Sequence, residues 1–271
     1  MEKLLGGIEK FGLESLNELE IYKKEEEAVS VESAMPKEFL IDKFIYKKEY
    51  KCEICSVKFM SDTLRTGKMR PVAIDHDLRP IYEEPIHPIF YDIVVCPTCG
   101  HAALTQTVSN MRPSHARRVL SDITPRFKYV EYPAMLDVDM ALERYKLALL
   151  NAVVKDVKDS EKAYLCMKIA WLYRSKQDKK NELSFISNAY KGYISAYEKE
   201  YFPIFGMEES VVVFLIASYA KALGHLEDAL KFVGQLIMSR TLSKRMRDRA
   251  IDLKQDILHE MKARNEANTS E

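Results

Sequence analysis

From Pro133 onward, apolar side chains recur at steps of three and four, the period of a helix with one buried stripe. Asp137 is placed to cap a helix carrying Val138, Leu142, Tyr145, Leu149 and Ala152 on one face, and Ser160 to cap a second with Ala163, Met167, Ala170 and Tyr173. A third passes through Leu183, Ile186, Tyr190, Tyr193 and Tyr197, and Phe202-Pro203-Ile204-Phe205-Gly206 interrupts the pattern. Two more helices flank Gly224, and a last one runs through Met246, Ala250, Leu253, Ile257 and Met261. Six helices with short connections predict an antiparallel helical domain.

Residues 46–130 have a different texture. Short apolar alternations are broken by Gly67, Pro71, Pro80, Pro85, Pro88, Pro97 and Pro113, and Ile89 to Val95 is the strongest strand pattern. This half reads as small, turn-rich and mostly β. The fold class expected is therefore α+β and mostly α: a small zinc-ribbon-like β domain with a long insert at 46–130, then a tetratricopeptide-like helical domain at 131–264. Ala217, Ala220, Gly224 and Ala229 put small residues where such a helix pair packs closely. A weaker second copy, Ala170 and Tyr173, lies 47 positions before Ala217 and Ala220. An ordinary irregular bundle fits the same pattern.

Charge divides the chain unevenly. Residues 1–45 hold 6 basic and 11 acidic side chains, against 41 of each in all 271 residues. With a weak amphipathic stretch at Leu13, Leu16 and Leu19, they read as an acidic, partly disordered segment, and 265–271 as a disordered tail. Overall neutrality argues against indiscriminate binding to nucleic acid or membrane surfaces. Met1 to Lys10 is too short and too closely flanked by acid for a secretory signal, and the longest apolar run, Val211 to Ala217, is far below a membrane span. A cytoplasmic protein is expected.

Of five cysteines, four form two C-x-x-C pairs: Cys52-Glu53-Ile54-Cys55 and Cys96-Pro97-Thr98-Cys99, the second followed by Gly100. Each pair makes a tight turn aiming both sulfurs at one point, and Gly100 permits the positive φ such a knuckle often uses. Together they give a tetrahedral S₄ set suited to one structural zinc per chain, with Cys52, Cys55, Cys96 and Cys99 as ligands. A rubredoxin-like iron site would use the same ligands, whereas dithiol redox chemistry needs one pair on a βαβ scaffold. The 40 residues between Cys55 and Cys96 exceed the roughly 15–20 of a compact ribbon. Cys166 reads as core.

Within that insert, Asp75-His76-Asp77 and His87 raise a second, catalytic metal site, against the plainer reading of a polar turn. His101 is placed to hydrogen-bond a cysteine sulfur. Nucleophile-elbow, phosphate-loop, zincin and dinucleotide motifs are absent from the sequence. Arg112, Arg117, Arg118, Arg126 and Lys128, and the lysines near Tyr46, Tyr50 and Phe59, form a basic rim suited to phosphate contacts. The cluster Arg240, Lys244, Arg245, Arg247 and Arg249 reads as the wet face of a helix.

Several long stretches resemble a known bacterial family, domain of unknown function 2225. They are Cys52-Glu53-Ile54-Cys55 with Phe59, His87-Pro88-Ile89-Phe90-Tyr91-Asp92 running into Cys96-Pro97-Thr98-Cys99-Gly100, and Tyr132-Pro133. Asp137 to Leu150, Ala170-Trp171-Leu172-Tyr173-Arg174 and Phe202 to Ser210 continue the likeness. The departure is His101, where members often carry tyrosine. The resemblance implies a cysteine-rich ribbon joined to tetratricopeptide-like helices in a bacterial cytoplasm, and no assigned activity. The function expected is a non-enzymatic zinc-binding adaptor whose helical groove binds a protein partner. The alternatives are a nucleic-acid-binding regulator using the basic rim and an enzyme in the insert.

Overall fold

The computed structural model describes Lys10, Gly12 and residues 44–65, 67, 69–83, 86–109 and 111–268. The acidic segment expected at 1–45, with its Leu13–Leu19 stretch, lies outside these residues save for Lys10, Gly12, Phe44 and Ile45. The architecture is mixed α and β, mostly helical, with seven α-helices and three small two-stranded antiparallel sheets among the described residues.

Strands β1 (Ile45–Lys51) and β2 (Lys58–Leu64) pair from Ile45 opposite Leu64 to Lys51 opposite Lys58. The first cysteine pair forms the tip of this hairpin. At its other end Phe44, Ile45, Leu64, Ile86, Tyr91 and Leu136 make a local core. A minimal hairpin, β3 (Ala73–Ile74) and β4 (Pro80–Ile81), follows in the insert. Hairpin β5 (Ile93–Val95) and β6 (Ala102–Leu104) carries the second cysteine pair.

The strand expected over Ile89 to Val95 survives only in its last part. Pro88–Tyr91 is a 3-10 turn, with Pro88 in the first turn and the His87 ring accepting from the Ile89 N–H. Proline removes a ladder donor and the His87 cap rewards a turn, so local chemistry outweighs β propensity. The mostly-β reading of this half also omitted α1 (Pro113–Asp122), whose proline sits at the first helical position and whose Val119 is fully buried.

The six helices expected after Pro133 are all present: α2 (Val138–Lys155), α3 (Asp159–Ser175), α4 (Lys179–Lys199), α5 (Glu209–Ala222), α6 (Leu226–Met238) and α7 (Lys244–Asn268). Helix α7 continues into the stretch 265–271 expected as a tail. Asp137 caps α2, its carboxylate accepting from the Met140 N–H at 2.8 Å. Ser160 does not cap α3. Glu200, just beyond α4, accepts there from the Ser160 N–H at 3.0 Å and the Ser160 hydroxyl at 2.7 Å. This carboxylate sits in the positive end of the helix dipole, a cap supplied from 40 residues away and so invisible to local pattern.

Helices α3 and α4 are antiparallel: Asp159 meets Ser195 near one end, and Arg174 meets Glu182 near the other. Helix α6 runs beside α4 in the same direction, since Tyr190 meets Asp228 and Tyr197 meets Gln235. Helix α7 returns antiparallel along α6, with Arg247 on the Ile237 carbonyl and Arg264 on the Gly224 carbonyl. The core is continuous across both halves: Ile93, Ala102, Leu104, Val119 and Ile123 are buried with Ala141, Tyr145 and Leu149 of α2. Asp92 reinforces this join, accepting from Tyr145 and from Lys168 of α3, both at 3.1 Å.

Gly192 sets the spacing of α3 and α4. A Cβ there would lie 2.8 Å from the Ala163 Cβ and 3.2 Å from the Asp159 carbonyl. Alanine gains about 1 kcal/mol in helix propensity, but overpacking costs about 1–3 kcal/mol. Gly192→Ala is therefore expected to lower stability by about 1 kcal/mol, read as a reduced denaturation midpoint. A midpoint at or above wild type would show that the helices part without cost.

Candidate metal centre

The two cysteine pairs meet. Cys52 follows β1 directly, and Cys55 leads through Ser56 into β2. The Cys52 N–H donates to the Val57 carbonyl and the Ser56 N–H to the Cys52 carbonyl, both at 2.9 Å, folding the tip into a knuckle. The second tip repeats this, with the Gly100 N–H donating to the Cys96 carbonyl at 3.2 Å and the Cys96 N–H to the His101 carbonyl at 2.8 Å. After each second cysteine the backbone enters the left-handed region, at φ 59° for Ser56 and 72° for Gly100. Gly100 is needed for space as well, because a Cβ would lie 2.5 Å from the Phe127 ring.

The Cys52 and Cys99 sulfurs are 3.5 Å apart and those of Cys55 and Cys96 3.6 Å, with all four within 4.8 Å of one another. A tetrahedron with metal–sulfur bonds of about 2.3 Å has edges of about 3.8 Å, so this cluster has the size of a four-thiolate metal site. No pair is bonded as a disulfide, and Cys52, Cys96 and Cys99 are buried. Such proximity sets the thiols against one another: hydrogen bonds from Cys52 and Cys99 pull the Cys96 thiol well below its usual range, while Cys52 and Cys96 push Cys99 up. A cation among the sulfurs removes that conflict. The four side chains are thus positioned to bind a metal ion, and a full set of four protein ligands leaves no position for water.

The second knuckle is the better anchored. Its Cys99 carbonyl accepts from the Thr124 hydroxyl at 2.9 Å and its Gly100 carbonyl from the Asn151 amide at 3.0 Å, fixing it to the turn that follows α1 and to α2. His101 is buried beneath the knuckle, with Nε2 lacking a hydrogen-bond partner. Burial pushes the pKa of the His101 imidazole down, and the hydrogen bond expected from the sequence is present between its side chain and Cys52, where it favours the charged thiolate. Cys166 is buried in the helical core, its thiol pushed up to about 12 by burial, in keeping with a packing role.

Asp75, His76 and Asp77 also bring ligand atoms within 4.8 Å of one another, but their oxygens are engaged. Arg174 of α3 holds Asp77 in a fork, Nη1 to Oδ1 at 2.9 Å and Nη2 to Oδ2 at 2.8 Å, and donates to Asp75 at 2.7 Å. Trp171 adds an indole N–H to Asp77 at 2.8 Å, and Glu182 of α4 receives the Arg174 Nε at 2.7 Å. Burial opposes the Asp75 charge, yet Arg174 and the His76 N–H outweigh it and hold the carboxyl at about 2. The motif is a plug that locks the insert onto the helices. Its anchors, Trp171 and Arg174, carried no signal beyond being a buried-pattern aromatic and a nearby cation. His87 is spent on its cap and packs edge-on to Tyr82, so it does not join this group.

Two outcomes are expected, one for a metal at this centre and one for His87. Metal binding in four-cysteine peptides contributes about 10–16 kcal/mol, comparable to the stability of a domain. Cys96→Ser is expected to lose most of the bound metal, measured by elemental analysis, and to unfold cooperatively at a much lower temperature. Full metal content with an unchanged melt would refute the centre. Burial, aided by Arg79 and Lys168, depresses His87 to about 4 from 6.5. A histidine with a depressed folded pKa binds its proton first in the unfolded chain, so stability falls as pH drops from about 6.5 towards 4. His87→Gln is expected to remove on the order of 2 kcal/mol of that fall, seen by comparing denaturation midpoints of the two proteins across this window.

No helix among the described residues is long and apolar enough to cross a membrane. No curated protein and no solved structure matches the chain. A family model described as an uncharacterized protein conserved in bacteria matches residues 45–260, a span that begins at β1, takes in both knuckles and the Arg174 plug, and ends within α7; the chain belongs to that family, DUF2225.

Proposed function

We propose that the protein is a non-enzymatic adaptor of the bacterial cytoplasm: a zinc-ribbon-like unit, held by one structural zinc on Cys52, Cys55, Cys96 and Cys99, joined to tetratricopeptide-like helices that bind a protein partner. The preference for zinc rests on the four-sulfur set, since zinc is the usual occupant of closed tetrahedral thiolate sites and needs no redox partner. In this reading α3–α4 and α5–α6 are two successive hairpins, α2 and α7 cap the stack, and Ala170 and Tyr173 occupy the buried positions that Ala217 and Ala220 take 47 residues later. Arg174 occupies the carboxylates of Asp75 and Asp77, the set in the insert that a catalytic metal would have used.

The observation that carries the adaptor reading is an apolar pair at one end of the helices. Tyr201 is 94% and Met238 83% exposed. They follow α4 and end α6, two helices that run the same way, so they lie at the same end of the stack. Large exposed apolar side chains grouped in this way mark interaction surfaces. A second reading, nucleic-acid binding, is favoured by α1, where Arg112, Arg117 and Arg118 are all exposed.

One comparison separates the two. A tagged wild-type chain and a Tyr201→Glu/Met238→Glu variant are used to retain partners from bacterial lysate after nuclease treatment. The adaptor reading expects a stoichiometric protein on the wild type that is absent from the variant, with zinc content equal in both. Material lost on nuclease treatment, and retained by both chains in a salt-dependent manner, would overturn it in favour of the basic helix.

A further inference from the structure

Arg144 stands inside the protein with no counter-ion among the described residues. It lies in the first half of α2, is only 7% exposed, and its Nη2 donates to the Ile93 carbonyl. No ion pair among the described residues includes it, and the neighbouring acid, Glu143, is taken by the Tyr132 hydroxyl at 2.7 Å. The ionisable groups around it are the phenols of Tyr132, Tyr91, Tyr129 and Tyr145, which burial keeps neutral and which therefore supply no counter-charge. A guanidinium has five donors and does not discharge in proteins, so a buried one with a single carbonyl partner retains strong demand for an anion.

That demand faces a cavity. Arg144 lines a space of about 70 Å³ between β2, the end of β5 and the segment leading into α2, together with Asp62, Val95, Val130 and Leu136. Met60 and Tyr129, each about half exposed, stand at its mouth. The volume suits several waters or a small organic ion. The geometry points to a binding site for a small monocarboxylate, its carboxylate on the Arg144 guanidinium and its short apolar body against Val130, Met60 and Tyr129. Bidentate pairing with a planar carboxylate is what the guanidinium fork favours. Asp62 in the same lining opposes any anion, a dianion about twice as strongly as a monoanion, which favours a monocarboxylate over phosphate. The shared chemistry fits a free short-chain acid or the carboxyl terminus of a polypeptide. This site is separate from the cysteine cluster and does not depend on the adaptor reading.

The test is the thermal midpoint of the metal-loaded full chain, with titration calorimetry, at constant ionic strength. Probes are propionate, propionamide, inorganic phosphate, and a short alanine-ended peptide with a free or an amidated terminus. Propionate or the free-terminus peptide is expected to raise the midpoint saturably, and which of them does so identifies the source of the carboxylate. The amides and phosphate are expected to do nothing. Arg144→Gln is expected to abolish the response, and Met60→Trp, an exposed change that fills the mouth, to abolish it while leaving the ligand-free midpoint in place. A response to phosphate or propionamide equal to that of propionate, a response retained in Met60→Trp, or no saturable response to either carboxylate would overturn the proposal.

Discussion

Four sulfurs drawn within 4.8 Å of one another are the constraint around which the β half is arranged. Thiolates at that distance repel, and neutral thiols would leave a polar cluster buried with little to bond. A cation among them would offset both costs, and its binding would then be linked to the folding of the two hairpins. Much else follows from the direction of those hairpins. Cys96 and Cys99 stand on a tip fixed by Thr124 and Asn151, whereas Cys52 and Cys55 stand on a two-stranded hairpin of the kind that is marginal alone in water. The metal site thus ties the less supported hairpin to the helical body, and the small core around Ile45, Leu64 and Tyr91 secures its other end.

The long insert between the cysteine pairs is held by a different device. Arg174 gathers Asp75, Asp77 and Glu182, drawing the insert and two helices to one guanidinium, with Trp171 closing the remaining site on Asp77. Buried ion pairs often contribute little net stability against an apolar replacement, but they tolerate few alternative geometries. Here such a pair specifies where the insert lies, while burial of apolar surface in the shared core supplies the driving force. Arg144 provides the contrast. It is buried more deeply than Arg174, has no carboxylate partner among the described residues, and opens on a cavity. One arginine is satisfied by the protein itself and serves position; the other remains available to a ligand.

The readability of each element depended on how local its cause was. Period and capping placed α2 to α7, because an amphipathic stripe, Asp137 at one start and Gly224 at a turn act within a few residues. The C-x-x-C pairs announced the sulfur cluster because backbone geometry makes each knuckle autonomous. Helix α1 was hidden by its basic face, and the 3-10 turn at Pro88 by the β-branched run that follows it. The Asp75-His76-Asp77 motif resembled a ligand set because ligands and ion-pair acceptors use the same atoms, and only the partner in space distinguishes them.

The sequence by itself therefore determined the helical period, the two knuckles and the identity of the four sulfur donors, all consequences of backbone geometry over a few residues. The tertiary structure alone decided that Glu200 caps α3, that Arg174 claims Asp75 and Asp77 of the insert, and that Arg144 faces a cavity with no carboxylate partner among the described residues. Each of these depends on which charge arrives opposite another across dozens of residues, and electrostatic pairing depends on distance in space, which chain order does not encode.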